Sequence, residues 1–392
     1  MTGVMVTLSE RLQRVPPYPF VTLAERVRSL QARGVDVIRM DIGAPDMPPP
    51  PVAIEHLIES VRRPEMHSYP GYRGAPELKE AFAAYYRERF GVTLDPDKEI
   101  LPLIGSKEGL HHITLALVNP NDVVLVPDPG YPAYRTSALI AGAEVVNVPL
   151  RPENNYLPDV HQLPESILRR AKILWLNYPN NPTGAVATRE FFQEIVDFAH
   201  RWHILVCHDA PYVDVTFDGY VAPSILEIPE ARDVSVEFNS LSKSLNMAGW
   251  RVGVAVGQPQ AIEALLHMKS NVDTGIFLPV QHAAAIALKS TPPRWMEKRN
   301  QVYAQRRDII LDTLTRLGIE AEKPVGGLYV WARVPEGYTG ESFAMHVLER
   351  VGVAFAPGYI YGNQGQYYVR ISLGVPTERV QEAMRRLAAI AL

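Results

Sequence analysis

The sequence predicts an α/β protein built on a large, mostly parallel sheet covered by helices on both faces, with a smaller α+β unit attached. Three observations carry this. From about residue 52 to 280, short and nearly continuous apolar runs alternate with amphipathic helical stretches, the pattern of strands buried on both sides. After Pro279 the pattern changes to two long helical stretches followed by strands and helices in mixed order. Four polar clusters also stand where apolar runs end, the place where an open parallel sheet binds its ligands.

Residues 1–45 open with a polar arm, Ser9 to Arg14, and then Val15-Pro16-Pro17-Tyr18-Pro19-Phe20, whose prolines favour an extended strap on another surface. Leu23, Val27 and Leu30 give a helix ending near Gly34. Val37 to Ile42 is strand-like, and the prolines from Pro48 to Pro51 mark a boundary. Pro76 starts a helix to Phe90, proline being suited to a first turn. Ile100 to Ile104 leads into Gly105-Ser106-Lys107 and an apolar helix to Val118. Asp122 to Val126, Ile173 to Asn177 and Ile204 to Cys207 are further strands, with helices near Tyr134 to Ala141 and Thr188 to Trp202. Two more apolar runs, Val234 to Phe238 and Val252 to Val256, flank Ser240 to Arg251. The last part holds helices over 280–288, 295–317, 342–350 and 377–391, and strands over 328–332, 351–355 and 367–373. A large domain is expected over 46–282, and a small one, with the N-terminal arm, over 1–45 and 283–392.

Composition narrows the function. At 392 residues, 47% hydrophobic and 21% charged, the chain is an ordinary globular protein able to bury two cores. A net charge of −4 leaves no basic excess for a nucleic-acid backbone, so nucleic acid is not expected as a partner. No apolar run is long enough to span a bilayer. The start, Met1-Thr2-Gly3-Val4-Met5, lacks the basic residues and apolar core of a secretory signal, and the single cysteine, Cys207, cannot form an intrachain disulfide. A cytoplasmic protein is expected. His111, His112, His203 and His208 show no metal-ligand spacing, and no metal is expected.

Chemistry centres on Ser240-Leu241-Ser242-Lys243-Ser244-Leu245-Asn246-Met247-Ala248-Gly249-Trp250-Arg251. One lysine between two hydroxyls and a later arginine suits an electrophilic carbonyl beside a phosphate: the amine forms a Schiff base and the others neutralise the phosphate. Two other readings compete, a solvated loop and the Ser-x-x-Lys of serine acyl-enzymes with Ser240 as nucleophile. Gly105-Ser106-Lys107 opens a helix, whose free N–H groups favour an anion; the bland alternative is capping by Ser106. Asp209 ends an apolar strand, where a carboxylate is costly unless a cation such as a protonated pyridine nitrogen meets it; otherwise it caps a turn. Asn181 and Tyr212 can donate to a ring oxygen, and Tyr131 can stack on an aromatic ring, unless they only form turns and pack. Arg370 stands in an apolar strand, so it either grips a carboxylate with its planar fork or forms an internal salt bridge.

Taken together, Tyr69 with Gly74 and Leu78, Gly105-Ser106-Lys107, Tyr131-Pro132, Asn181-Pro182-Thr183-Gly184, Asp209-Ala210-Pro211-Tyr212, Ser240-x-Ser242-Lys243 with Arg251, and Arg370 resemble the class I and II aminotransferases, fold-type I pyridoxal-phosphate enzymes, in order and spacing. The resemblance implies a homodimer that uses pyridoxal 5′-phosphate to exchange an amino group between an amino acid and a 2-oxo acid. It implies Lys243 as the Schiff-base lysine and proton carrier, Asp209 on the pyridine nitrogen, Tyr131 stacked on the ring, and Asn181 and Tyr212 on the ring oxygen. Ser106, Lys107 through its backbone, Ser240, Ser242 and Arg251 would cup the phosphate, with Tyr69 reaching it from the partner subunit. Arg370, Asn181 and the Gly43 backbone would hold the substrate α-carboxylate. The acyl-enzyme reading fails here, because the chain has neither Ser-Asp-Asn nor Lys-Thr-Gly.

Phrases such as Pro16-Pro17-Tyr18-Pro19-Phe20, Ile42-Gly43-Ala44-Pro45-Asp46 and Asn177 to Gly184 are most similar to the bacterial branch containing LL-diaminopimelate aminotransferases and their aspartate-, alanine- and aromatic-using relatives. Aspartate-specific members of another branch carry an arginine after the lysine strand, and Ser270 to Pro279 contains none. A β-lyase on the same scaffold is the rival reaction. A non-catalytic regulator lacks support, since no helix-turn-helix pattern precedes residue 15.

Overall fold

The computed structural model describes residues 6–390; Met1 to Met5, read above for a secretion signal, and Ala391, the expected end of the last helix, lie outside them. The described strands are β1 (Ile38–Arg39), β2 (Ile100–Ile104), β3 (Val123–Asp128), β4 (Glu144–Pro149), β5 (Ala171–Leu176), β6 (Leu205–Asp209), β7 (Ser235–Ser240), β8 (Val252–Gly257), β9 (Tyr329–Arg333), β10 (Val353–Ala354), β11 (Ala356–Pro357) and β12 (Tyr368–Ser372). Strands β2 to β8 make one seven-stranded sheet in the order β2-β8-β7-β6-β5-β3-β4. Pairing is parallel from β4 through β3, β5 and β6 to β7, whereas β8 runs antiparallel to both β7 and β2.

Side-chain alternation feeds two cores. Val123 and Leu125 of β3 enter one, while Val124 and Val126 enter the other; Leu174 and Leu176 against Ile173 and Trp175 repeat this in β5. Helices Pro76–Phe90, Arg189–Trp202 and Leu278–Ser290 cover the first face, and Ser106–Leu117, Pro132–Ala141 and Pro259–Ser270 the second. Burial on both faces is why these strands read as unbroken apolar runs.

The other strands form two small sheets. β12 lies between β11 and β9, antiparallel to each, and β1 pairs in parallel with β10. A third core gathers Met40, Ile310, Val330, Val347, Ile371 and Leu387 beneath them. Helix Val21–Ala32 packs Leu23, Val27 and Leu30 against Val37, Leu348 and Ala354.

Three local differences from the sequence reading have physical causes. The prolines near 50 do not simply break the chain: Pro51 is the first residue of a helix, Pro51–Ser60, where its missing N–H costs nothing. Val351 continues the apolar face of Val347 and stays in helix Gly340–Val351, so the strand expected over 351–355 shortens to β10. Strand β4 was not foreseen, because as a partly exposed edge strand it lacks a buried run.

Beneath the sheet end, fully buried Glu237 is satisfied on both oxygens. Oε1 accepts from the Tyr86 hydroxyl at 2.8 Å, and Oε2 from Ser224 Oγ at 2.9 Å and the Ile225 N–H at 3.1 Å, with His208 Nδ1 at 3.0 Å. Removing the carboxylate strands several buried donors at once. Glu237→Ala should lose roughly 3 kcal/mol or more, seen as a fall of several degrees in Tm; an unchanged Tm would show that the network contributes nothing.

Candidate active site

The strand-end clusters meet in one cavity of about 380 Å³. The seven-stranded sheet supplies one wall, and Arg39, Tyr329, Tyr361 and Arg370 of the smaller sheets and their connections supply the other.

Lys243 sits in a single helical turn, Leu241–Ser244, directly after β7. Its Nζ donates to the Gly43 carbonyl. Burial lowers its pKa below the ordinary lysine value; Arg370 and Arg251 add to this, while Tyr329 and Asp209 oppose it. More free amine at neutral pH makes a better nucleophile. Arg299, buried in helix Pro293–Arg316, holds the turn from behind. Its Nη1 donates to the carbonyls of Lys243, at 3.0 Å, and Ser244, and its Nη2 to that of Asp214 at 2.5 Å.

An anion cup lies beside the lysine. Ile104 pairs with Val252 and Ser240 with Gly253, which brings the ends of β2 and β7 and the start of β8 to one edge. The N-cap of helix Ser106–Leu117 is Gly105, not Ser106, so the Ser106 hydroxyl is not spent on capping. Gly105 has φ 72°, and a Cβ there would overlap the Arg251 guanidinium, so only glycine lets helix and arginine meet. Arg251 Nη1 donates to the Ala248 carbonyl at 2.9 Å and lies 3.5 Å from Ser242 Oγ. Ser240 Oγ accepts from the Ser242 N–H at 3.2 Å. Lys107 is exposed, and partial desolvation together with Arg251 lowers its pKa.

At the end of β6, buried Asp209 accepts from the Tyr134 hydroxyl at 2.6 Å through Oδ2, while Oδ1 has no partner. Burial pushes its pKa up to about 6, against the Tyr134 hydrogen bond and the charges of His208 and Lys243. Asn177 ties β5 to β6, donating to the Asp209 carbonyl at 2.6 Å and accepting from the Asn181 N–H at 2.7 Å. The Tyr212 and Tyr329 hydroxyls are 2.9 Å apart.

Arg370, mid-strand in β12, donates to Asn181 Oδ1 at 2.9 Å and to the Asp41 carbonyl at 2.7 Å, and its Nε has no partner. Among the described residues it forms no salt bridge to a carboxylate, which tells against the internal ion-pair reading. Its guanidinium lies 4.0 Å from the Tyr329 ring centroid.

Of the residues singled out by sequence, Lys243, Asp209, Tyr212, Ser106, Lys107, Tyr131, Asn181, Ser240, Ser242, Arg251, Arg370 and Gly43 all line the cavity. Tyr69 does not; its side chain stands 87% exposed on the surface of the chain. Sequence reading missed Arg39, Asp41, Asn177, Tyr134, Tyr329, Tyr361 and Arg299. Asn177 ends β5 and was open to the strand-end rule, and charged Arg39 and Asp41 in an apolar run carried the same signal as Arg370. Tyr134, Tyr329, Tyr361 and Arg299 gave no signal.

The unmet groups describe what fits: a protonated ring nitrogen for Asp209 Oδ1, a phosphate for the cup, and a carbonyl carbon for Lys243. Away from the cavity, Glu108, His112 and Asp273 bring possible metal ligands within 4.8 Å of one another. The Lys269 ammonium stands among them, 2.8 Å from Glu108 and 2.5 Å from Asp273.

The model of the family "Aminotransferase class I and II" matches residues 35–387. An LL-diaminopimelate aminotransferase of Moorella thermoacetica is 48% identical over 382 residues, covering 97% of this chain and 98% of that protein. Among solved structures, substrate-bound BacF from Bacillus subtilis superposes with TM-score 0.94 at 37% identity, covering 98% of each chain. A single mutant of Thermus thermophilus aspartate aminotransferase gives 0.91 at 29% identity, covering 98% of this chain and 99% of that one.

The raised pKa of Asp209 fixes a sign. With a folded value of about 6 against about 3.8 unfolded, the ligand-free protein loses stability as pH rises between them, on the order of 3 kcal/mol in all. Asp209→Asn should therefore be more stable than the parent above pH ~6, the gap closing below pH ~4. Thermal denaturation of both ligand-free proteins across that range checks it; parallel curves would contradict it.

Proposed function

The chain belongs to the class I and II aminotransferases, and on that footing we propose that it transfers the amino group of LL-diaminopimelate to a 2-oxo acid such as 2-oxoglutarate. It is a pyridoxal-phosphate-dependent transaminase acting on an amino acid and a 2-oxo acid. The observation that carries the choice of donor is full-length similarity to several proteins named LL-diaminopimelate aminotransferase.

When bound, the cofactor supplies an amine-reactive carbonyl and an electron-withdrawing ring. Lys243 would hold it covalently through Nζ, and the freed Nζ amine would carry the proton taken from the substrate Cα. Asp209 Oδ1 would accept from the ring nitrogen and keep it protonated, Tyr134 holding the carboxylate through Oδ2 and Asn177 the Asp209 backbone carbonyl. Asn181 and Tyr212 would donate to the ring oxygen, and Tyr131 would stack on the ring. Ser106, Lys107 through its backbone, Ser240, Ser242 and Arg251 would hold the phosphate. Arg370, with Asn181 and the Gly43 backbone, orients the α-carboxylate.

The working enzyme in this proposal is a homodimer, Tyr69 completing the partner's phosphate site; its exposure, away from its own cavity, supports this. The domain division is 46–282 against 1–45 with 283–392, supported by the separate cores. A cytoplasmic setting is supported by a lone, buried cysteine thiol. No described helix is long and apolar enough to cross a membrane.

Loss of the cofactor's absorption band on adding each donor tests the assignment. LL-diaminopimelate should bleach it with the highest specificity constant among LL-diaminopimelate, aspartate, alanine, glutamate and the aromatic amino acids. A better response to another donor would move the enzyme to that substrate, and ammonia with pyruvate released without an acceptor would make it a β-lyase. Lys243→Ala should lower turnover by about 10²–10⁴-fold or more with the fold intact; full retained turnover would refute the role of Lys243.

A further inference from the structure

We propose that Arg39, braced by Asp41, reads a second carboxylate at the far end of the substrate, making this site selective for amino and oxo acids that carry two acid groups. This rests on the transaminase reading above and names a substrate class for the same cavity.

Charge in the cavity is the starting point. Its lining holds five cations, Arg39, Lys107, Lys243, Arg251 and Arg370, against two carboxylates, Asp41 and Asp209. In that reading Arg251 serves the phosphate, Lys243 is the covalent anchor and Arg370 takes the α-carboxylate, while the Lys107 ammonium lies over the Tyr18 ring, 5.2 Å from its centroid. Arg39 has none of these tasks, and the one anion it meets is the protein's own Asp41 carboxylate.

Arg39 lines the cavity and its pairing leaves one nitrogen over. Its Nε and Nη2 each donate to one Asp41 carboxylate oxygen at 2.7 Å. The Asp41 side chain is 2% exposed and that of Arg39 30% exposed, so the carboxylate is the more deeply buried partner. That pairing uses one edge of the planar group; Nη1 makes no hydrogen bond among the described residues and is held rigid by the other two nitrogens. Phe20 and Ala24 make the neighbouring lining apolar, which strengthens any charge interaction there.

Geometry links the two arginines. The Asp41 carbonyl accepts from Arg370 Nη2 at 2.7 Å, while the Asp41 carboxylate holds Arg39. Asp41 therefore holds both guanidinium groups, Arg370 through its carbonyl and Arg39 through its carboxylate, and in this proposal a substrate with a carboxylate at each end meets both. Diaminopimelate, glutamate and 2-oxoglutarate have this form; alanine and pyruvate do not.

The test compares holoenzyme carrying Arg39, Arg39→Gln or Arg39→Lys. The preference in kcat/KM for 2-oxoglutarate over pyruvate should fall roughly 10- to 100-fold in Arg39→Gln. Arg39→Lys should recover part of it, because charge returns without the fork. Calorimetric binding of glutarate and pentanoate, alike in length but differing by one carboxylate, should show the same drop in affinity ratio. Equal losses for both acceptors and both ligands, with ratios unchanged, would make Arg39 a brace for Arg370 and overturn the proposal. If the unaltered enzyme transferred no amino group to any acceptor, the functional reading would fall, while the glutarate-to-pentanoate ratio would still decide the role of Arg39.

Discussion

Among the described residues the Asp209 carboxylate accepts one hydrogen bond, from Tyr134, and its other oxygen is buried without a partner. A buried carboxylate in that state is held at a cost, and only a proton or a cationic ligand relieves it. The surroundings prevent other relief. Tyr134 is fixed by stacking on Trp175, with centroids 5.0 Å apart, and Asn177 locks the Asp209 backbone. Strand β6 therefore presents a ready-made site for a protonated nitrogen, and the positions of Lys243 and the anion cup are measured from it. The same low dielectric that raises the pKa of Asp209 lowers that of Lys243, so burial prepares acceptor and nucleophile together.

Positioning of the lysine depends on the small sheets as much as on the large one. Arg299 reaches from helix Pro293–Arg316 to the carbonyls around Lys243, and Arg370 reaches from β12 to Asn181 beyond the end of β5. Both arginines are buried, and both bond to carbonyl or amide oxygens in place of carboxylates. Their charge thus stays available to the cavity: Arg370 for an α-carboxylate, and Arg299 as a fixed field behind the turn.

Much of this was legible in the residues. Buried strands reveal themselves as apolar runs, and polar residues at their ends are conspicuous by contrast, as Asp209 and Ser240 were. An arginine inside an apolar strand is costly enough to demand an explanation, which found Arg370 and, applied evenly, would have found Arg39. What stayed hidden depends on tertiary contacts. Tyr134 sits on a helix like any packed tyrosine until β6 is seen beside it, and Arg299 resembles the other arginines of its charged helix. The exposed edge strand β4 lacked a core-facing run, and Pro51 marks a helix start with the same residue that marks a break.

The central claim is that the amine of Lys243, rather than any other lysine near the cavity, is where the cofactor attaches. Borohydride reduction of the holoenzyme fixes the cofactor to the amine that holds it, and peptide mapping by mass spectrometry then reads the modified residue. The account predicts a phosphopyridoxyl group on the peptide containing Lys243 in nearly all chains. The same group found on Lys107, or on no lysine of the enzyme while activity persists, would contradict it.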